Sequence, residues 1–281
     1  MTSTVSFLIP VYAGADATQF QHTLDSLWAQ TRPAEEVVVV EDGPLTTELE
    51  RVLDDAQATH PELRRVRLAR NQGAGPALQA GLGTITTDFI ARIDADDLAY
   101  PERIEKQLAY FAQHPRLTVL GTAVTEFDDS TFTQTGDLQQ SVGKVRALPE
   151  THEAILKYAR INTPVNHPSV MMRTAAVRDA GGYQKVHHME DYDLWARLLM
   201  SGAQFHNLAE PLTYFRTSQS QFARRTGKGM FAAERHMQRN LAAYGLVSKP
   251  RAALNLVVRT AYRLLPAAAL QRAYGALFHR R

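Results

Sequence analysis

The stretch Phe89-Ile90-Ala91-Arg92-Ile93-Asp94-Ala95-Asp96-Asp97 is an apolar run that ends abruptly in three carboxylates. On an extended backbone side chains alternate faces, so Asp94 and Asp96 point the same way. Carboxylates that close repel unless a cation sits between them. Oxygen ligands at a strand end suit a hard divalent ion, Mg2+ or Mn2+, which keeps open positions for phosphate oxygens. The competing reading is a solvated loop in which one acid caps the helix beginning near Pro101. A lone D-x-D does not separate the two.

Further residues of the same kind recur along the chain. Glu41-Asp42-Gly43-Pro44 is an acidic turn whose carboxylates could accept hydrogen bonds from a nucleobase imide or a ribose hydroxyl. Arg70-Asn71-Gln72-Gly73-Ala74-Gly75 has glycines that let a backbone approach a ligand closely. It is neither G-x-G-x-x-G after a first strand nor a Walker loop. Glu190-Asp191 opens a helix, where the dipole alone favours acids. Asp191, Trp195 and Leu198 nevertheless share one face by i, i+4, i+7 spacing. That turns Asp191 inward as a candidate general base and leaves Asp193 to solvent. Arg216, with Arg224, Arg225 and Lys228, could close over a pyrophosphate or form a solvated basic loop. His167 and the pair His187-His188 read more simply as packed or surface residues than as metal ligands.

The elements that would position these residues alternate in type. Val5 to Ile9, Val37 to Val40, Val66 to Leu68, Phe89 to Ile93 and Leu117 to Val124 read as strands. Helical periodicity separates the first four, and a helix from Pro101 follows the fourth. This β-α-β-α-β-α-β pattern predicts an α/β fold with an open, mostly parallel sheet flanked by helices. Ligands bind such sheets beyond the carboxyl ends of the strands. Pro10-Val11-Tyr12, Glu41-Asp42, Arg70-Asn71 and Asp94 to Asp97 all fall there. Residues 125–148 are polar and read as a hairpin or loop. Pro211 to Arg216 reads as a late strand.

Composition sets outer bounds. The 281 residues are 44% hydrophobic and 21% charged, enough for one large domain or one domain with an appendage. There is no cysteine, so thiolate metal sites and disulfides are excluded. The start of the chain shows no secretory pattern, and no apolar run approaches the roughly 20 residues of a membrane span. After Glu234 the acids stop, while Arg235, Arg239, Lys249, Arg251, Arg259, Arg263, Arg272, Arg280 and Arg281 continue. A basic tail therefore follows an acidic body. Leu254, Val257, Val258, Ala261 and Leu265 give the tail an apolar stripe, continued by Leu270, Tyr274, Leu277 and Phe278. Such a helix could lie on an anionic membrane surface or pack on the body as a terminal pair.

In order and spacing these motifs resemble the family 2 glycosyltransferases, which have the GT-A fold. The resemblance runs over roughly residues 5–216. It rests on Ile9-Pro10-Val11-Tyr12, Glu41-Asp42-Gly43, Arg70-Asn71-Gln72-Gly73, Ala91 to Asp97 and Pro101-Glu102-Arg103. The later elements are Asn166-His167-Pro168-Ser169-Val170, Gly181-Gly182-Tyr183 and Glu190-Asp191-Tyr192-Asp193-Leu194-Trp195.

The resemblance implies an inverting enzyme with a nucleotide-sugar donor, usually UDP-linked, and Mn2+ or Mg2+. Asp42 would contact the base, with Glu41, Pro10, Tyr12 and Arg70 beside it. Asp94 would bind ribose or metal, Asp96 would be the principal metal ligand, and Ala95 lies between them in the donor-binding set. Asp191 would be the catalytic base, and Arg216 would contact the diphosphate. Glu41 departs from the second aspartate of many members. The implied organisation is a GT-A domain over 1–228, its nucleotide-sugar half about 1–124 and its acceptor half about 125–228, with a basic helical tail over 229–281.

The implied acceptor is a glycan or a lipid-linked glycan in cell-surface polysaccharide or glycolipid synthesis. The implied location is the cytoplasm, peripheral on the inner face of the cytoplasmic membrane. No nucleic-acid partner is expected. A sugar-phosphate nucleotidyltransferase and a non-catalytic nucleotide-sugar-binding protein are the alternatives. The first would want a glycine-rich triphosphate loop after the first strand, and Val11-Tyr12-Ala13-Gly14 is a poor one. Phosphatases with a D-x-D nucleophile place it after the first strand, not the fourth.

Overall fold

A computed structural model describes residues 3–217 and 229–263. Its centre is one mixed sheet of nine strands. β1 (Val5–Val11), β2 (Glu36–Glu41), β3 (Leu63–Arg67) and β4 (Phe89–Arg92) run parallel, in the spatial order β3-β2-β1-β4. The short β5 is Leu98–Ala99, and β6 (Leu117–Asp128) is longer than its apolar run suggests. β7 (Val142–Arg146), β8 (Met171–Arg173) and β9 (Gln204–Thr217) complete the sheet. Beyond β4 the order is β8-β6-β9-β5, with β7 paired to β6. β8 lies antiparallel between β4 and β6, while β6 and β9 run parallel through several register shifts.

Strand alternation divides the core in two. Phe7, Ile9, Val37, Val39 and Ala91 face α1 (Ala17–Trp28), α2 (Thr47–Thr59) and α4 (Arg103–Gln113). Leu8, Val38, Val40 and Ile90 face α3 (Ala74–Thr84) and the helix Glu190–Met200. Both faces of the central strands are therefore covered, as unbroken β-branched runs such as Val37 to Val40 require.

The polar stretch over 125–148 is not a simple hairpin. It holds the end of β6, the short helices Asp129–Thr135 and Leu138–Ser141, and β7. The expected boundary near residue 124 falls inside β6.

The helices Met230–Ala243 and Lys249–Arg263 pack on the body, with Ala233, Met237, Leu241 and Ala252 joining the core beside Trp195. Lys249–Arg263 still leaves Leu254, Val257 and Val258 exposed on its outer side. The stripe residues from Leu265 onward, with Arg224, Arg225 and Lys228, lie outside the described residues. Among the described residues, no helix is long and apolar enough to cross a membrane.

Candidate active site

The parity that sorts the core also sorts the polar residues. Pro10 and Tyr12 follow Leu8 on the α3 side, Asp42 follows Val40, and Arg92 and Asp94 follow Ile90. Asp42 is buried and accepts hydrogen bonds from the backbone amides of Gln72 (2.7 Å) and Gly73 (2.9 Å). Each carboxylate oxygen thus takes one amide and keeps further acceptor capacity. Gly43, at φ +88°, lets the turn press against the Arg70-Asn71 backbone, where a Cβ would lie 2.5 Å from the Asn71 amide. Arg70 is exposed at the rim, and so is Tyr12.

Glu41 takes the opposite direction. Its buried carboxylate accepts from Arg65 Nε at 2.5 Å and from Arg67 Nε at 3.2 Å. Arg65 also binds Glu50 and Asp54 of α2. This corrects the grouping of Glu41 with the base contact, because strand alternation puts it on the far face from Asp42.

At the end of β4 the carboxylate oxygens of Asp94, Asp96 and Asp97 lie within 4.8 Å of one another. Asp97, absent from the expected metal set, is the buried member. It accepts the Arg216 backbone N–H at 2.8 Å, and its Oδ2 has no hydrogen-bond partner among the described residues. Burial, then the negative charges of Asp96 and Asp94, hold its carboxyl well above the usual carboxylate range. Three oxygens so placed, one buried without a partner, fit a hard divalent cation. Ala95 sits between Asp94 and Asp96 against the α1-side core.

Arg216 lies against this loop. Its Nε donates to the Asp96 carbonyl at 2.6 Å, its Nη1 pairs with Asp129 at 2.6 Å, and its guanidinium lies over Phe127. The residue implied for the diphosphate contact thus also braces the acid loop.

Arg92 is the residue that sequence reasoning passed over. It is 4% exposed, pairs with Asp94, and leaves Nε and Nη1 without hydrogen-bond partners among the described residues. Its charge is felt at Asp97, His167, Tyr183, Glu190 and Asp191. A lone arginine at an inward strand position was the available signal.

Glu190 and Asp191 begin their helix beside α3. A Cβ on Gly75 would lie 3.2 Å from Glu190 Cβ and only 2.4 Å from the Gln184 carbonyl, so the close approach needs glycine there. The start of α3 thus joins the Asp42 turn to the Glu190-Asp191 turn. Burial pushes Asp191 above the usual carboxylate range, and burial with the Asp191 charge pushes Glu190 to about 7. The Thr163 hydroxyl donates to Asp191 Oδ2 at 3.2 Å.

Asp193 is not at the surface as its helical position suggested. It is fully buried and accepts from Arg197 Nε (2.9 Å), Asn240 Nδ2 (2.8 Å) and the Tyr244 hydroxyl (2.9 Å). The helix Met230–Ala243 covers that face. His167 is a core residue bonded to the Tyr183 hydroxyl at 3.0 Å, kept neutral by burial and Arg92.

The chain belongs to glycosyl transferase family 2, whose profile matches residues 6–180. The protein is therefore an enzyme, a glycosyltransferase, and its fold is GT-A. It is 34% identical to the amylovoran biosynthesis glycosyltransferase AmsE of Erwinia amylovora, over 96% of this chain and 97% of that one. It is 28% identical, over 94% and 93%, to the Escherichia coli UDP-Gal:alpha-D-GlcNAc-diphosphoundecaprenol beta-1,3-galactosyltransferase. Among solved structures, S. aureus TarS 1–349 in complex with UDP-GlcNAc aligns at TM-score 0.65 and 17% identity, covering 98% of this chain and 73% of that one. The mannosyltransferase PcManGT from Pyrobaculum calidifontis, in complex with GDP-Man and Mn2+, aligns at TM-score 0.62 and 19% identity, covering 99% and 81%.

Proposed function

We propose that this glycosyltransferase is inverting and metal-dependent, and moves a hexose from a UDP-sugar to a hydroxyl of a glycan or lipid-linked acceptor in cell-surface polysaccharide or glycolipid synthesis. One observation carries the reading: the Asp94-Asp96-Asp97 cluster and the Glu190-Asp191 turn share Arg92 as a common buried cation on one face of the sheet. The names of the Escherichia coli relative and of the TarS complex support a UDP donor, and that of the PcManGT complex supports Mn2+.

Asp42 accepts a hydrogen bond from the imide N–H of the base, with Tyr12, Pro10 and Arg70 at the rim. Asp96 and Asp94, with Asp97 behind them, would hold the divalent ion, which supplies positive charge beside the departing diphosphate when bound. Asp191 takes the proton of the acceptor hydroxyl as its oxygen bonds to the anomeric carbon. The bond from that carbon to the diphosphate oxygen breaks with its electron pair, so UDP leaves and the configuration inverts.

Residues 1–124 serve the donor and 125–228 the acceptor. The basic region 229–281, with Leu254, Val257 and Val258 exposed, meets the inner face of an anionic membrane where a lipid-linked acceptor would lie. A thermal-shift screen of UDP-, GDP- and dTDP-sugars with and without Mn2+ tests donor and metal together. Stabilisation by a UDP-sugar only with Mn2+ is expected; a GDP- or dTDP-sugar preference, or indifference to Mn2+, would overturn that part. Co-sedimentation of the full chain with anionic vesicles tests the membrane surface, and no binding would remove it.

A further inference from the structure

The base is held from an unexpected direction. Thr163 reaches Asp191 from the end of the segment 159–163, which runs between the buried core residues Ala159 and Val165 with Arg160 and Ile161 exposed. Hydrogen bonds fix the exposed turn between them, beginning with the Ile161 and Asn162 amides, which donate to the Tyr158 carbonyl. The Tyr192 hydroxyl, next to the base, donates to the Ala159 carbonyl at 2.6 Å. The turn's long-range side-chain anchors come from Lys249–Arg263. Asn255 Nδ2 donates to the Arg160 carbonyl at 2.8 Å, and Arg259 Nη1 donates to the Ile161 carbonyl at 2.7 Å and to Asn162 Oδ1 at 3.2 Å.

Both anchoring side chains are themselves held by the preceding helix. Arg259 Nε pairs with buried Glu234 at 2.7 Å, and Asn255 Nδ2 also donates to Gln238 Oε1 at 3.2 Å. Lysine and arginine side chains lose much rotamer freedom when fixed, so an arginine held at both ends makes a stiff strut.

We propose that Arg259 and Asn255 are positioning residues for Asp191: they set the 160–162 backbone so that the Thr163 hydroxyl orients the carboxylate that receives the acceptor's proton. This rests on the reading of Asp191 as the base. It gives the C-terminal helix a part in the reaction separate from any membrane contact. The donor side, at Asp42 and Asp96, is untouched by these bonds.

The test uses full-length Arg259→Met, Arg259→Lys and Asp191→Asn, and the double variant Arg259→Met with Asp191→Asn. The readout is UDP release by slow hydrolysis of UDP-galactose, UDP-glucose and UDP-GlcNAc with Mn2+, following whichever the parent cleaves fastest. Arg259→Met should lower kcat about 10–100-fold, since small misplacements of a reacting group cost that much, with the donor KM within about twofold. Arg259→Lys should recover part of the rate by reaching one carbonyl. In the Asp191→Asn background Arg259→Met should cost nothing more, because residues acting through one another are not additive.

An unchanged kcat in Arg259→Met, or an equal fractional loss in both backgrounds, would overturn the inference while leaving the base reading intact. Normal turnover in Asp191→Asn would overturn both. Amide exchange gives a readout independent of turnover. It should rise at least about tenfold over 161–163 in Arg259→Met while holding steady over Glu190–Met200; unchanged exchange over 161–163 would also refute the strut.

Discussion

Glu41 and Asp42 are chain neighbours whose carboxylates serve opposite faces of the sheet, one bound to Arg65 and Arg67, the other to the amides of Gln72 and Gly73. One position along the strand separates a structural ion pair from the proposed donor contact.

The two substitutions should therefore part company. Glu41→Gln should lower stability by about 1.5–3 kcal/mol, the worth of a charge-assisted hydrogen bond, with UDP affinity unchanged. Asp42→Ala should weaken UDP binding about tenfold or more. Urea melts and calorimetry on both variants check the split; equal losses of UDP affinity would contradict it.

Asp191→Asn keeps shape and loses the basic group. Turnover should drop about 10²–10⁴-fold while UDP binds normally. Steady-state rates set beside UDP calorimetry separate the two, and a normal rate would take the base role from Asp191.

The pH dependence follows from the raised carboxyls. Protonation removes the base, so activity should fall as pH falls, with a limb above the ordinary aspartate value near 3.9. Glu190 and Asp191 titrate as an interacting pair. Glu190→Gln removes a like charge and should move the limb to lower pH. For stability the sign is the reverse of the usual salt-bridged acid. The folded form of Glu190 holds its proton up to about 7, so its contribution is complete below the unfolded value near 4.3 and is lost as pH rises through about 7. Glu190→Gln should therefore flatten the change in urea midpoint between about pH 5 and pH 8, and an unaltered pH dependence would contradict this.

Asp96→Ala should abolish the Mn2+ dependence of UDP binding, and EDTA should do the same to the parent. Calorimetry in which Asp96→Ala still binds UDP more tightly with Mn2+ than without, to the same extent as the parent, would remove Asp96 from that role.

Asp193→Ala should cost about 3–5 kcal/mol, because it strands a mostly buried Arg197 and two hydrogen-bond donors, Asn240 and Tyr244. Guanidinium denaturation of the variant measures this. A loss under about 1 kcal/mol would show that the acid is dispensable.

These contrasts also mark what the sequence could convey. The unbroken run Val37 to Val40 and the apolar lead-in to Asp94 carry strand parity, and parity alone sets Asp42 and Asp94 on one face. The i, i+4, i+7 spacing sets Asp191 inward. Burial of Asp193 was not legible, because its cover comes from Asn240 and Tyr244, far along the chain. The brace that Arg216 forms was not legible, because its acceptors, Asp129 and the Asp96 carbonyl, lie in other segments. Arg92 and Thr163 matter only through tertiary neighbours, which no local period records.

Arg103 is fully buried and donates to the carbonyls of Arg92, Pro168 and Val170 and to the Thr213 hydroxyl; burial, then the nearby Arg92, lower its pKa to about 9. Its acceptors arrive from both sides of the middle of the chain, so neither side can satisfy that guanidinium alone. Severing the polypeptide between them should thus yield two fragments that fail to hold shape separately, and that become competent only when allowed to reassociate.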